Sequence, residues 1–146
     1  MLYDPSNPVV QLCTRGIETE YSGDLEKARD LYLEAWQLAK NDLEMVTSAH
    51  YLARVQSDLV EALRWNLTAL EYASKTTDQD IASLYASLYL NVAKSHEDLG
   101  NLREAQDHYL LAHNSTHDLP DNGYGNMIRK GVQAGLERVK GQVDGF

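Results

Sequence analysis

Gly23-Asp24-Leu25-Glu26-Lys27-Ala28, followed by Tyr32 and Ala35, is the stretch that decides the fold, because the chain repeats it. It returns as Ser57-Asp58-Leu59-Val60-Glu61-Ala62 with Asn66 and Ala69. It returns again as Gly100-Asn101-Leu102-Arg103-Glu104-Ala105 with Tyr109 and Ala112. Each copy is a polar turn, a leucine, an alanine three residues on, and a second alanine seven residues later with a larger residue between. Alanine, large residue and alanine at i, i+4 and i+7 lie on one helical face. Such self-similarity predicts stacked helical repeats.

Outward from these copies, the flanking sequence supplies more helices. Ser6 or Asn7 can cap a helix that begins at Pro8, where the missing N–H costs nothing. That helix is expected to reach about Tyr21, with Val9, Leu12, Cys13, Gly16 and Ile17 on its apolar side. The second helix is predicted over about 25–40 and the third over about 43–56. Asp58 caps the fourth, and Glu61 three residues later completes an Asp-type capping box. A longer fifth helix is expected over about 78–99, stopped by Gly100, and a sixth over about 101–114. Leu119-Pro120-Asp121-Asn122-Gly123-Tyr124-Gly125 reads as a loop. A seventh helix is predicted over about 126–140, in which Gly131 and Gly135 each cost about 1 kcal/mol relative to Ala. Residues 1–7 read as an irregular lead and 141–146 as a frayed tail. No strand alternation of useful length is present.

Composition bounds the function. Of 146 residues, 43% are hydrophobic and 24% charged, as in a globular domain. The formal net charge is -9, and the thirteen Lys and Arg are scattered. Nucleic acid is a poor partner for such a surface, since neutralising phosphates takes clustered cations. The single cysteine, Cys13, forms no intrachain disulfide, which suits a reducing compartment. There is no signal-peptide pattern and no membrane span, so a soluble cytoplasmic protein is expected.

Ala28 to Ala62 is 34 residues, and Ala62 to Ala105 is 43, the same period with nine more at Ser74–Ser83. Over about residues 8–117 the chain resembles the tetratricopeptide repeat family. In that family the first helix of each repeat carries a small residue, matched by Gly16, His50 and Ala93. The second carries two alanines around an aromatic, matched at Ala28/Tyr32/Ala35, Ala62/Asn66/Ala69 and Ala105/Tyr109/Ala112. His50 and Asn66 depart from the pattern. The resemblance implies an all-α fold: a right-handed α-solenoid of antiparallel helix pairs, about seven helices in all. It would be one domain spanning 1–146, with repeats at about 9–41, 43–75 and 78–117 and a closing helix at about 126–140.

The resemblance also implies a concave groove lined by the first helices. Carried over by register, Val10, Cys13, Ile17, Glu20 and Tyr21 face it from the first repeat. Glu44, Thr47, Tyr51, Arg54 and Val55 face it from the second, and Ser87, Leu90, Asn91, Lys94, Glu97 and Asp98 from the third. The candidate binding residues are His50, Tyr51, Arg54, Asn91 and Lys94. Arg and Lys suit a carboxylate, Asn a peptide backbone and Tyr a flat apolar face. Alternatively Arg54 pairs with Glu97 or Asp98, and His50 is a satisfied core residue bonded to Asn91 or Asn66. The family's chaperone-tail clamp is not expected, because Cys13, Ile17 and Thr47 stand where it would place polar or basic groups.

The expected function is a protein-interaction module or adaptor that takes a peptide or helix of a cytoplasmic partner. The alternative is a pocket for an anionic metabolite built from His50, Arg54, Asn91 and Lys94. Homodimerisation through Leu84-Tyr85-Ala86-Ser87-Leu88-Tyr89 is a variant. No catalytic residue, cofactor or metal site is expected. His113 and His117 have i, i+4 metal spacing but no supporting ligands, and Cys13 lacks an acidic partner in register.

Overall fold

The computed structural model describes residues 4–143. The first three positions of the expected lead and the last three of the expected tail lie outside them. Among the described residues there are seven α-helices and no strand.

Local chemistry explains where the helices begin and end. Asn7 accepts hydrogen bonds from the backbone N–H of Val9 and Val10, and Pro8 opens α1 (Pro8–Tyr21). Asp24 caps α2 (Leu25–Leu38), and Asn41 caps α3 (Asp42–Arg54) by accepting from the Glu44 N–H. Asp58 caps α4 (Leu59–Lys75), but Glu61 turns to Arg64 instead of back to the cap. α1 ends at Gly23, whose φ of 93° only glycine adopts without strain. The Gly23 and Asp24 N–H groups close on the Glu20 and Thr19 carbonyls. α5 (Ala82–Asp98) ends in the same way at Gly100, φ 82°, with the Gly100 and Asn101 N–H groups on Glu97 and His96.

Two helices differ from the sequence-based expectation. The fifth helix is α-helical only from Ala82. A 3₁₀ turn, Gln79–Ile81, replaces its expected first turn. α6 (Leu102–Asn114) follows as expected. α7 (Gly123–Val143) is longer at both ends than 126–140, so positions 141–143 of the expected tail are helical. Asn122 accepts from the Gly125 N–H and opens α7 inside what reads as a glycine-rich loop. Within Leu84–Tyr89, Ala86 and Leu88 are buried and the other four residues are half-buried.

The helices pack most closely with their sequence neighbours: α1 with α2, α3 with α4, α5 with α6. Two compact units result, Met1–Asp78 and Gln79–Phe146. In the first, the core gathers Val9, Leu12, Ala28, Leu31, Tyr32 and Leu52, with Trp36 and Trp65 packed against it edge to face at 5.1 Å. Both tryptophans are half-buried between helices. α1 and α2 approach so closely that a Cβ on Gly16 would stand 2.7 Å from Tyr32 Cδ1, and nearer still to Cε1.

In the second unit, Ala93, Ala105, Tyr109 and Val139 form one cluster and Ala86, Ala112, Leu119, Ile128 and Val132 another, bridged by Leu90 and Leu136. α7 packs on α6 and also touches α5. α3 stands in the same relation to α2 and α1. Gly135 of α7 meets the Tyr109 ring of α6 where Tyr51 of α3 meets the Tyr32 ring of α2.

Candidate functional site between the first and third helices

α1 and α3 share a face inside the first unit. Val10, Cys13, Thr14 and Ile17 from α1, with Thr47 and Tyr51 from α3, line an open recess of about 140 Å³. Five of these six are residues that register assigns to the groove; Thr14 is the addition.

Two polar rungs tie the helices together above and below the recess. At the N-terminal end Asn7 Nδ2 donates to Glu44 Oε2 at 2.9 Å, and the Lys40 backbone N–H donates to Glu44 Oε1 at 2.9 Å. At the C-terminal end Arg54 Nη2 donates to Glu20 Oε2 at 3.0 Å, while the Tyr32 hydroxyl donates to Glu20 Oε1 at 2.7 Å. Tyr51 stacks on Tyr32 with centroids 5.3 Å apart, and the Arg54 guanidinium lies 5.7 Å over the Tyr51 ring.

This packing sets the protonation states. Burial, then the Arg54 cation, pushes His50 down to about 4 against the pull of Glu20. His50 is therefore neutral at physiological pH, its ring edge-on to Tyr51 at 4.9 Å. Burial, then the Glu20 carboxylate, raises the Tyr32 hydroxyl well above its ordinary range. Burial pushes the Cys13 thiol up to about 12, so it lines the recess as a neutral apolar group without nucleophilic character.

The candidate binding residues fall on two helices. His50 and Arg54 both contact Tyr51 on α3 in the first unit. Asn91 and Lys94 lie on α5 in the second. Arg54 takes Glu20 as its partner, not the expected Glu97 or Asp98. Asp98 pairs instead with Lys94, one turn away on the same helix. Glu97 accepts from the Tyr109 hydroxyl at 2.7 Å and is forked by Arg138, Nε at 2.9 Å and Nη2 at 3.0 Å. The bond from Arg138 is the leading reason that Glu97 sits below its ordinary carboxylate range.

Sequence reasoning missed this clasp of glutamate, tyrosine and arginine, which occurs once in each unit. The signal was present. A glutamate stands three residues before Gly23 and again before Gly100, and a tyrosine nine residues after each. The arginine comes from the next first helix. Glu20, Arg54, Glu97 and Arg138 occupy one register position on α1, α3, α5 and α7, with alternating charge. Asn66 stands at the position of Tyr32 and Tyr109. The first helix of its own pair carries Arg54 there, which accepts no hydrogen bond from a hydroxyl.

Among the described residues, no cluster of three or more His, Cys, Asp or Glu could hold a metal, and no helix is long and apolar enough to cross a membrane. Compared with protein-family models, curated proteins and solved structures, the chain matches none of them.

Proposed function

We propose that the chain is a right-handed α-solenoid of the tetratricopeptide kind and works as an interaction module in the cytoplasm. Its α1–α3 face takes an extended segment of a protein partner. The fold reading rests on the interior: Ala28, Tyr32, Ala35, Ala105, Tyr109 and Ala112 are all fully buried at matching register. Close helix crossings need such small residues beside one large ring.

The functional reading is carried by the recess itself. It is open and mostly apolar, and about 140 Å³ is well below the 300–1,000 Å³ typical of small-molecule sites. It suits one side chain of a larger partner. Tyr21, 85% exposed beside the Glu20–Arg54 rung, supplies an aromatic of the type enriched at binding hot spots. The cations that would serve an anionic metabolite, Arg54 and Lys94, are each already paired.

The test is a quantitative pull-down from lysate with wild type and Thr14→Trp in parallel. Thr14 is exposed and lines the recess, so tryptophan there fills it without entering the core. A partner retained by wild type and lost by a folded variant is the expected result. A partner held equally by both would move the interface elsewhere and end this reading.

A further inference from the structure

The charges around the α1–α3 recess are lopsided. At its C-terminal end Glu20 is neutralised by Arg54. At its N-terminal end both Glu44 oxygens accept bonds from uncharged donors, the Asn7 amide and the Lys40 backbone N–H. No described side-chain cation pairs with Glu44, which is only half-buried. Residues 1–78 as a whole carry thirteen Asp and Glu against seven Lys and Arg. An occupant therefore meets an apolar hollow with, at its N-terminal end, a carboxylate that no described side-chain cation pairs, on an acidic unit.

Spacing makes this specific. Along α3, Thr47 and Tyr51 lie three and seven residues beyond Glu44, about 4.5 and 10.5 Å at the rise of an α-helix. The centre of the recess is thus about 7 Å from Glu44 along the helix axis. In an extended peptide, residues i and i+2 point the same way and are about 6.6 Å apart. An apolar side chain seated among Val10, Cys13, Ile17 and Tyr51 would put the side chain two positions away over Glu44.

We infer that the recess selects an extended segment of a partner protein in which a leucine-sized apolar residue and a lysine or arginine are separated by one residue. This rests on the interaction-module reading and adds the recognised chemistry to it. The apolar anchor supplies affinity. The Glu44 pairing supplies selectivity and salt dependence, since a half-exposed ion pair adds little free energy but penalises a like charge.

The experiment selects a display library of randomised nine-residue peptides against the full chain. The enriched peptides are then titrated by fluorescence polarisation against wild type, Thr14→Trp, Glu44→Gln and the bulk control Gln11→Trp. Gln11 is exposed on α1 but does not line the recess. Unchanged circular dichroism is required of each variant.

The expected result is enrichment of an apolar residue two positions from Lys or Arg. Thr14→Trp should then weaken binding at least about tenfold, as expected for a blocked anchor. Glu44→Gln should weaken it about two- to fivefold, the scale of one exposed ion pair, and lower its sensitivity to salt. Gln11→Trp should leave it unchanged. Peptides lost on Thr14→Trp but without a basic residue, or indifferent to Glu44→Gln, overturn the selectivity and leave the groove reading standing. Peptides indifferent to Thr14→Trp, or no enrichment, overturn both.

Discussion

Gly131→Ala and Gly135→Ala change the same residue type one turn apart in α7, and the structure gives them opposite outcomes. By helix propensity alone each should stabilise by about 1 kcal/mol. At Gly131 the new methyl meets the Cδ2 of Leu90 at 3.2 Å, the movable end of a flexible side chain. A small rotation of Leu90 accommodates it, so this variant should range from neutral to about 1 kcal/mol more stable.

At Gly135 the methyl would lie 2.7 Å from Tyr109 Cδ1 and closer still to Cε1 and Cζ. That ring cannot step aside. It is fully buried, and its hydroxyl is held by Glu97 at 2.7 Å and Arg138 at 3.3 Å. Overpacking of this kind costs about 1–3 kcal/mol, and a displaced ring also weakens a charge-assisted hydrogen bond worth about 1.5–3 kcal/mol. After the propensity gain, Gly135→Ala should destabilise by about 2–4 kcal/mol, roughly 5–15 °C in Tm for a chain of this size. Urea unfolding followed by far-UV circular dichroism gives both values. Tyr109→Leu removes the obstacle, so the alanine should cost much less in that background, a coupling of at least about 1 kcal/mol. A Gly135→Ala protein as stable as Gly131→Ala would refute the claim that α7 is seated by close approach to Tyr109.

Gly16→Ala, against the Tyr32 ring, should destabilise on the same scale, checked by the same melt. His50 is lowered from 6.5 to about 4, so folding favours its neutral form. Its contribution is complete above pH 6.5 and lost as pH falls towards 4, a total of about 3 kcal/mol at 1.36 kcal/mol per pH unit. His50→Gln should flatten that part of the stability profile, and an unchanged slope would show that His50 is not desolvated. Glu97, held below its ordinary range, contributes stability that persists until the pH falls beneath that range. Glu97→Gln should cost about 1–3 kcal/mol at neutral pH, and a double-mutant cycle with Arg138→Gln should show coupling of at least about 0.5 kcal/mol.

Much of the fold was legible because helix punctuation is local. Asn7 with Pro8, Asp58, Gly23 and Gly100 each act within one turn of themselves, and the structure uses all of them as read. The opening of α7 was hidden because Gly123 and Gly125 look like loop residues, whereas the deciding bond is the cap from Asn122. Gly135 read as a weakness in a helix, since nothing local reveals the ring opposite it.

The recess was half legible. Register brought Val10, Cys13, Ile17, Thr47 and Tyr51 to one face, because helical periodicity dictates that. Charge pairing was not legible. Arg54 has acidic residues within plausible reach on several helices, and side-chain geometry gives it to Glu20.

The clasp of carboxylate, hydroxyl and guanidinium reaches across three helices in each unit, from α1 and α2 to α3 and from α5 and α6 to α7. Glu20 and Glu97, Tyr32 and Tyr109, and Gly23 and Gly100 are all 77 residues apart. A change of length that keeps these three helices together keeps each carboxylate beside its guanidinium. Excising α3 and α4 alone would take Arg54 away and leave the Glu20 carboxylate with the Tyr32 hydroxyl but without its cation. Length changes in such a chain, whether by duplication or by a designer, thus have to carry a helix pair together with the helix that follows it.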